Sequence, residues 1–320
     1  MIAIYDNSHL LHDPEYEIYD GAKINYPEVP DRIETIKNSL TQVDGVEFIS
    51  PKSFDDKLVF ELHSKQYVSY LKDTTKQIAP NRDLYPSNFI HDTYAPLTQG
   101  TFTAARKAVD TALRGAELVA QGDSLVYSLC RPPGHHAGGN YMGGYCYFNN
   151  AAAAANFLSK HGKVAILDID YHHGNGTQEL FYDRDDVLYV SVHADPSLNY
   201  PYSHGFEHER GRGKGLGYNQ NFIVDKNCGT KPYMATFHQA LSKINEFNAD
   251  FLVVSLGFDG YRDDPIAGFN LSSEDYASIA KYIAYVDSPT LLVQEGGYCV
   301  EALGELARVF TKNMMQHKNS

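Results

Sequence analysis

The chain has 320 residues, 43% hydrophobic and 21% charged, which gives enough apolar material for a large buried core and excludes a disordered chain. Its formal net charge of −13 at pH 7 argues against a nucleic-acid partner and favours cationic ligands through the summed field. Four cysteines, Cys130, Cys146, Cys228 and Cys299, lack CxxC spacing, so a disulfide framework or zinc knot is not expected and a reducing compartment fits.

The first apolar run, residues 2–5, follows no basic segment or long hydrophobic stretch, and no later run is long enough for a bilayer. A cytoplasmic location without a membrane partner is therefore expected. Residues 73–97 are largely polar, with Pro80, Pro86 and Pro96, and read as a long functional surface loop. From there the chain alternates. Strand-like apolar runs at 124–129, 164–167, 187–192, 251–256 and 290–294 interleave with helical periodicity at 101–118, 151–160, 231–245, 273–285 and 301–315. The Gly-rich stretch 205–217 matches no phosphate-binding fingerprint and reads as a flexible surface loop. Fully apolar strands alternating with helices predict a doubly wound, mostly parallel sheet with helices on both faces, in a single α/β domain over 1–320.

Ligands of such sheets bind beyond the carboxyl ends of the strands. After 124–129 stands Arg131-Pro132-Pro133-Gly134-His135-His136, and after 164–167 stands Asp168-Ile169-Asp170-Tyr171-His172-His173. Asp259 follows 251–256, and Glu295-Gly296-Gly297-Tyr298 follows 290–294. Asp170 and His172 are two apart, so an extended segment points them to one face. With Asp259 they make two oxygens and a nitrogen, which leaves a fourth position for water, as at a catalytic metal. The set suits Zn²⁺, with Fe²⁺, Co²⁺ or Mn²⁺ as other occupants. His135 and His136 supply imidazoles for proton transfer, and Asp168 and Asn175 are natural partners fixing their tautomers. Tyr298 can donate to a developing oxyanion. His173 and His193 fit packing roles better.

The blocks SLCRPPGHHAGGNYMGGYCYFNNAAAAA, AILDIDYHHGNGTQELFY, LVVSLGFDGYRDDPIAGFNLSSEDY and VQEGGY resemble the metal-dependent histone deacetylase superfamily, and within it the bacterial acetylpolyamine amidohydrolase branch. The resemblance runs nearly end to end. It implies an eight-stranded parallel sheet of the arginase and deacetylase kind, one catalytic Zn²⁺ on Asp170, His172 and Asp259, and deacetylation of N-acetylated amines. His136 would be the general base and acid, His135 its electrostatic partner and Tyr298 the carbonyl polariser. It further implies a structural K⁺ or Na⁺ near Asp168, Asp170, His172, Ser191 and Val192. Tyr145 and Tyr200 would wall a substrate tunnel, with Gly144 at its floor and Ile266 near its rim. A homodimer is a family expectation. Against the branch pattern the region 73–97 is shorter. Tyr94 falls where relatives carry a substrate-facing glutamate, and Asp83 and Asp92 lie nearby. Three functions follow as expectations: deacetylase of small cationic acetylpolyamines, deacylase of acetyl-lysine peptides, or a non-catalytic acyl-amine binding module.

Overall fold

The computed structural model describes residues 1–318. Its main sheet has eight strands: β1 (Ile2–Ile4), β4 (Glu47–Ile49), β5 (Leu125–Ser128), β6 (Val164–Asp168), β7 (Val187–Ala194), β8 (Asn219–Val224), β9 (Phe251–Leu256) and β10 (Thr290–Gln294). They run in the order β4-β1-β5-β10-β9-β6-β7-β8, and every pairing is parallel. Beside it lies an antiparallel hairpin of β2 (Tyr16–Tyr19) and β3 (Ala22–Asn25).

Alternate side chains of each central strand enter opposite cores. On β6, Ala165 and Leu167 join one apolar cluster while Val164 and Ile166 join the other. The first cluster packs α1 (Asp31–Leu40), α7 (Thr230–Phe247), α8 (Ser273–Ala284) and α9 (Val300–Lys318). The second packs α2 (Lys57–Phe60), α3 (Lys65–Gln77), α4 (Thr101–Ala120), α5 (Asn150–Leu158) and α6 (Asn175–Phe181). Burial on both faces is why these strands read as continuous apolar runs. Helix starts are fixed locally. Ser272 and Asp275 form a capping box at α8, and the Asn149 side chain accepts from the Ala152 amide at α5. Among the described residues no helix is long and apolar enough to cross a membrane.

Several elements fall outside the expected ones. Residues 73–77, expected in a loop, form the last turn of α3, whose Tyr67, Val68 and Leu71 are buried on one face. Strand β4 has only three residues. The strand β8 reads NQNFIV, with buried polar Asn219 and Asn221, so it shows no apolar run. The hairpin and helices α1, α2 and α6 were also outside the expected segments. His193 lies inside β7 rather than after it. The stretch 205–217 is tied down at its start, where the Gly205 and Phe206 amides both donate to Glu209 Oε2.

The strand order sets where the polar motifs meet. Strands β9 and β10 insert between β5 and β6, so the four strands that end in polar motifs are consecutive, β5-β10-β9-β6. Their carboxyl ends therefore meet at one place.

Candidate active site

At that edge Asp170, His172 and Asp259 place ligand atoms all within 4.8 Å of one another. His172 Nδ1 is 3.0 Å from Asp259 Oδ2 and 3.4 Å from Asp170 Oδ1. The remaining oxygens are held by the backbone. The Tyr171 amide donates to Asp259 Oδ1 at 3.0 Å, and the Gly296 amide donates to Asp170 Oδ2 at 2.8 Å. A Cβ on Gly296 would stand 2.5 Å from Asp170 Oδ2 and 2.7 Å from Asp259 Oδ2, so only glycine lets that chain pass. Burial and then the Asp170 charge push Asp259 up to about 7. Burial lowers His172, but hydrogen bonds with Asp170 and Asp259 outweigh it and bring it to about 9. Two buried carboxylates holding a proton on an imidazole form a donor set that fits a divalent cation, which would displace that proton.

The two histidines differ in partner and charge. Asp168 accepts from His135 Nδ1 at 3.1 Å and from the Tyr189 hydroxyl at 2.9 Å. Burial lowers His135, but Asp170 and then Asp168 outweigh it and raise it to about 10. His136 Nδ1 donates to Asn175 Oδ1 at 2.8 Å, because the Asn175 amide nitrogen is committed to the Tyr141 hydroxyl at 3.2 Å. Burial, and then the charges of His135 and His172, hold His136 well below the usual imidazole range. His136 is thus neutral, with Nε2 unprotonated, and it lines the cleft.

Tyr298 lines the same cleft, and burial keeps its phenol protonated by raising it well above the usual range. Its amide donates to Asp264 Oδ2 at 2.7 Å. Beneath it lies a charged network that the sequence did not reveal. Arg32, fully buried, donates to the carbonyls of Gly297 and Glu295 and sits 4.7 Å from the Tyr298 ring centroid. Glu28, also buried, accepts from both Arg32 and Arg131. Glu295 Oε2 accepts from the Gly134 and His135 amides at 2.6 and 3.2 Å, tying the tyrosine loop to the histidine turn.

The cleft has a volume of about 390 Å³ and is lined by Gly144, Tyr145, Tyr200, Ile266 and Tyr94, as well as His136, His172 and Tyr298. Tyr200 meets His136 edge-on at 4.7 Å, and Tyr145 meets Tyr298 at 5.6 Å. Gly144 has φ +51°, and a Cβ there would stand 2.4 Å from the His136 ring. Ile266 is at the rim, 39% exposed. Asp168 faces Ser191 in register between β6 and β7, with Val192 next along the strand. His173 and His193 pack against each other with centroids 4.5 Å apart, and neither lines the cleft.

The acidic residues near Tyr94 do not line the cleft. Asp92 lies behind its wall, accepting from the Tyr200 hydroxyl at 2.6 Å and the Gly144 amide at 3.0 Å. Asp83 pins the hairpin by accepting from the Glu15 and Tyr16 amides. The carboxylate that does line the cleft is Glu17, on β2. It is 3% exposed and its Oε2 has no hydrogen-bond partner. Burial raises it to about 7, against a hydrogen bond from the Tyr145 hydroxyl.

Residues 26–314 match the family model described as the histone deacetylase domain. The chain belongs to the histone deacetylase family. It is 39% identical to acetylpolyamine amidohydrolase 1 of Pseudomonas aeruginosa, over 95% of this chain and 96% of that protein. It is 34% identical to the acetylpolyamine amidohydrolase of Mycoplana ramosa, with the same coverage. The crystal structure of acetylpolyamine aminohydrolase from Burkholderia pseudomallei superposes with a TM-score of 0.94 at 34% identity, covering 98% of each chain. The eight-stranded parallel sheet is that of these deacetylases, and the chain is a hydrolase of this family.

Proposed function

We propose that this chain is a zinc-dependent deacetylase of N-acetylated primary amines, with acetylpolyamines of the acetylputrescine and acetylspermidine type as substrates. The observation that carries the polyamine reading is Glu17, a buried carboxylate with an unpartnered oxygen on the cleft wall. Leaving such an oxygen unmet costs about 1–3 kcal/mol or more, and an ammonium at that depth would recover it. An acetyl-lysine peptide would bring a neutral backbone amide to the same depth. The names of the relatives support the same substrate class.

Asp170, His172 and Asp259 would hold Zn²⁺, which when bound supplies Lewis acidity toward the amide carbonyl. The rest is done by side chains. The methylenes of the amine chain would lie between Tyr145 and Tyr200, which line the cleft and shield them from water. The neutral Nε2 of His136 takes a proton from the attacking water as its oxygen bonds the carbonyl carbon. It returns that proton to the amine nitrogen as the C–N bond breaks, and the water's second proton passes from the nascent acetic acid to the amine, so that acetate and an ammonium are released. The cationic His135 stabilises developing negative charge. Tyr298, kept protonated by its burial, donates to the oxyanion. Its loss in Tyr298→Phe should lower kcat about 10²–10³-fold. Near-normal turnover of acetylputrescine by that variant would remove Tyr298 from the mechanism.

The test of the substrate reading is Glu17→Gln. Glu17 ionises as pH rises through about 7, so KM for cationic acetylputrescine should fall over that interval in the native chain. In Glu17→Gln the KM should rise by about tenfold or more, as for loss of a charge-assisted hydrogen bond, and its pH dependence should vanish. Equal KM values in the two proteins, or a higher kcat/KM on an acetyl-lysine peptide, would overturn the polyamine reading.

A further inference from the structure

The hairpin that carries Glu17 continues outward with a second set of groups. Glu17 and Tyr19 are two residues apart on β2 and both line the cleft, with Ile24 paired opposite Glu17 on the same wall. Tyr19 stacks on Tyr94, with centroids 5.9 Å apart and planes at 23°. Tyr94 meets Tyr200 edge-on at 5.9 Å, and Tyr200 meets Tyr202 at 6.3 Å. A ladder of phenol rings thus runs from His136 to the surface. Its outermost rings are open: Tyr19 is 46% exposed and Tyr202 56%.

Charge at this mouth is mixed. Burial, then Asp92, then the Tyr202 and Tyr19 phenols and last Asp20, raise the Tyr94 phenol to about 12. Asp20 lies in the turn between β2 and β3, and it also acts on Tyr202 behind burial and Tyr19. Lys226 lines the cleft as an opposing cation.

We propose that Tyr19, Tyr202 and Asp20 form a second ammonium site, so that the enzyme prefers acetylated triamines and tetramines to acetylated diamines. This rests on the polyamine reading above and extends it from one free amine to two. Two residues of strand advance about 7 Å. An extended three- or four-carbon spacer between amines, built of bonds of about 1.5 Å, covers a span on the order of 5–6 Å. An amine on Glu17 therefore brings the next one to Tyr19. There it would meet the exposed rings of Tyr19 and Tyr202, with Asp20 next to Tyr19 along the chain.

The matched pair is N-acetylputrescine and N8-acetylspermidine, which share the four-carbon step and differ by one aminopropyl arm. The native chain should show kcat/KM about fivefold or more higher on N8-acetylspermidine. The ratio should fall toward one in Tyr19→Leu and in Asp20→Asn, where asparagine tolerates the φ of +48°, and should rise in Lys226→Gln. N-acetyl-N′-propylputrescine, which has the arm without its terminal amine, should show no advantage. A ratio of one in the native chain, or a ratio indifferent to all three substitutions, overturns the second site while turnover of acetylputrescine leaves the first intact. A higher kcat/KM on an acetyl-lysine peptide than on either polyamine overturns both.

Discussion

Asp259→Asn is expected to abolish both activity and stoichiometric binding of zinc. Loss of one charged ligand removes Lewis acidity worth several kcal/mol, which is on the order of 10³ or more in rate. The substitution keeps the volume of the side chain. It also keeps an oxygen that can accept from the Tyr171 amide, so the loop after β9 need not move. The apo protein should not be destabilised. Asp259 is pushed up to about 7 by burial and by Asp170, a mark of two carboxylates crowded in one buried place. Removing one of them relieves that repulsion. Thermal unfolding then separates the alternatives. In the native chain Tm should climb with added Zn²⁺, because an ion bound only by the folded state stabilises it by mass action. In Asp259→Asn the apo Tm should be equal or higher and should not respond to the ion. A zinc-dependent rise in the variant equal to the native one would place the ion elsewhere.

Part of the candidate site was legible because several of its residues sit where apolar runs stop. Asp170, His172, Asp259 and Tyr298 each follow a strand whose full burial makes it visible as sequence, and the parallel rule then sends their side chains to one edge. What the runs do not encode is that β9 and β10 insert between β5 and β6. That adjacency, which makes the edge a site, is seen only in the fold. Glu17 was illegible for a different reason. Its segment, YEIY, alternates polar and apolar like any surface hairpin, and nothing local tells a solvated glutamate from a buried one. Its burial depends on partners far along the chain. Asp83 holds the hairpin at Glu15 and Tyr16, and the Thr93 hydroxyl donates to the Ile18 carbonyl at 2.7 Å. The same holds for Arg32. In sequence it is one more cation on an amphipathic helix, yet it reaches 265 residues along to the carbonyl of Gly297. Asp83 and Asp92, near Tyr94 in sequence, instead hold the hairpin and the Tyr200 hydroxyl, while the carboxylate on the cleft wall comes from β2.

His136→Ala should lower kcat on acetylputrescine about 10²–10⁴-fold, the range of a positioned general base and acid. The assignment turns on the asymmetry between the two imidazoles. His135 is held charged by Asp170 and Asp168 against its burial, so it has no free lone pair at neutral pH. His136 is neutral, and its partner Asn175 is neutral too. A carboxylate in place of Asn175 would favour the imidazolium and so make His136 more basic. Asn175→Asp should therefore shift the acidic limb of the kcat/KM profile to higher pH, because His136 must lose its proton before it can act. This variant leaves the ring in place while changing only its charge preference. Together the pair of variants tests role as well as presence. A large loss in His136→Ala with an unmoved profile in Asn175→Asp would make His136 a packing residue and pass the base to another group. A small loss in His136→Ala would do so directly. The expected result, a large loss from the first and an upward shift in the second, assigns proton transfer to the neutral imidazole that faces the cleft.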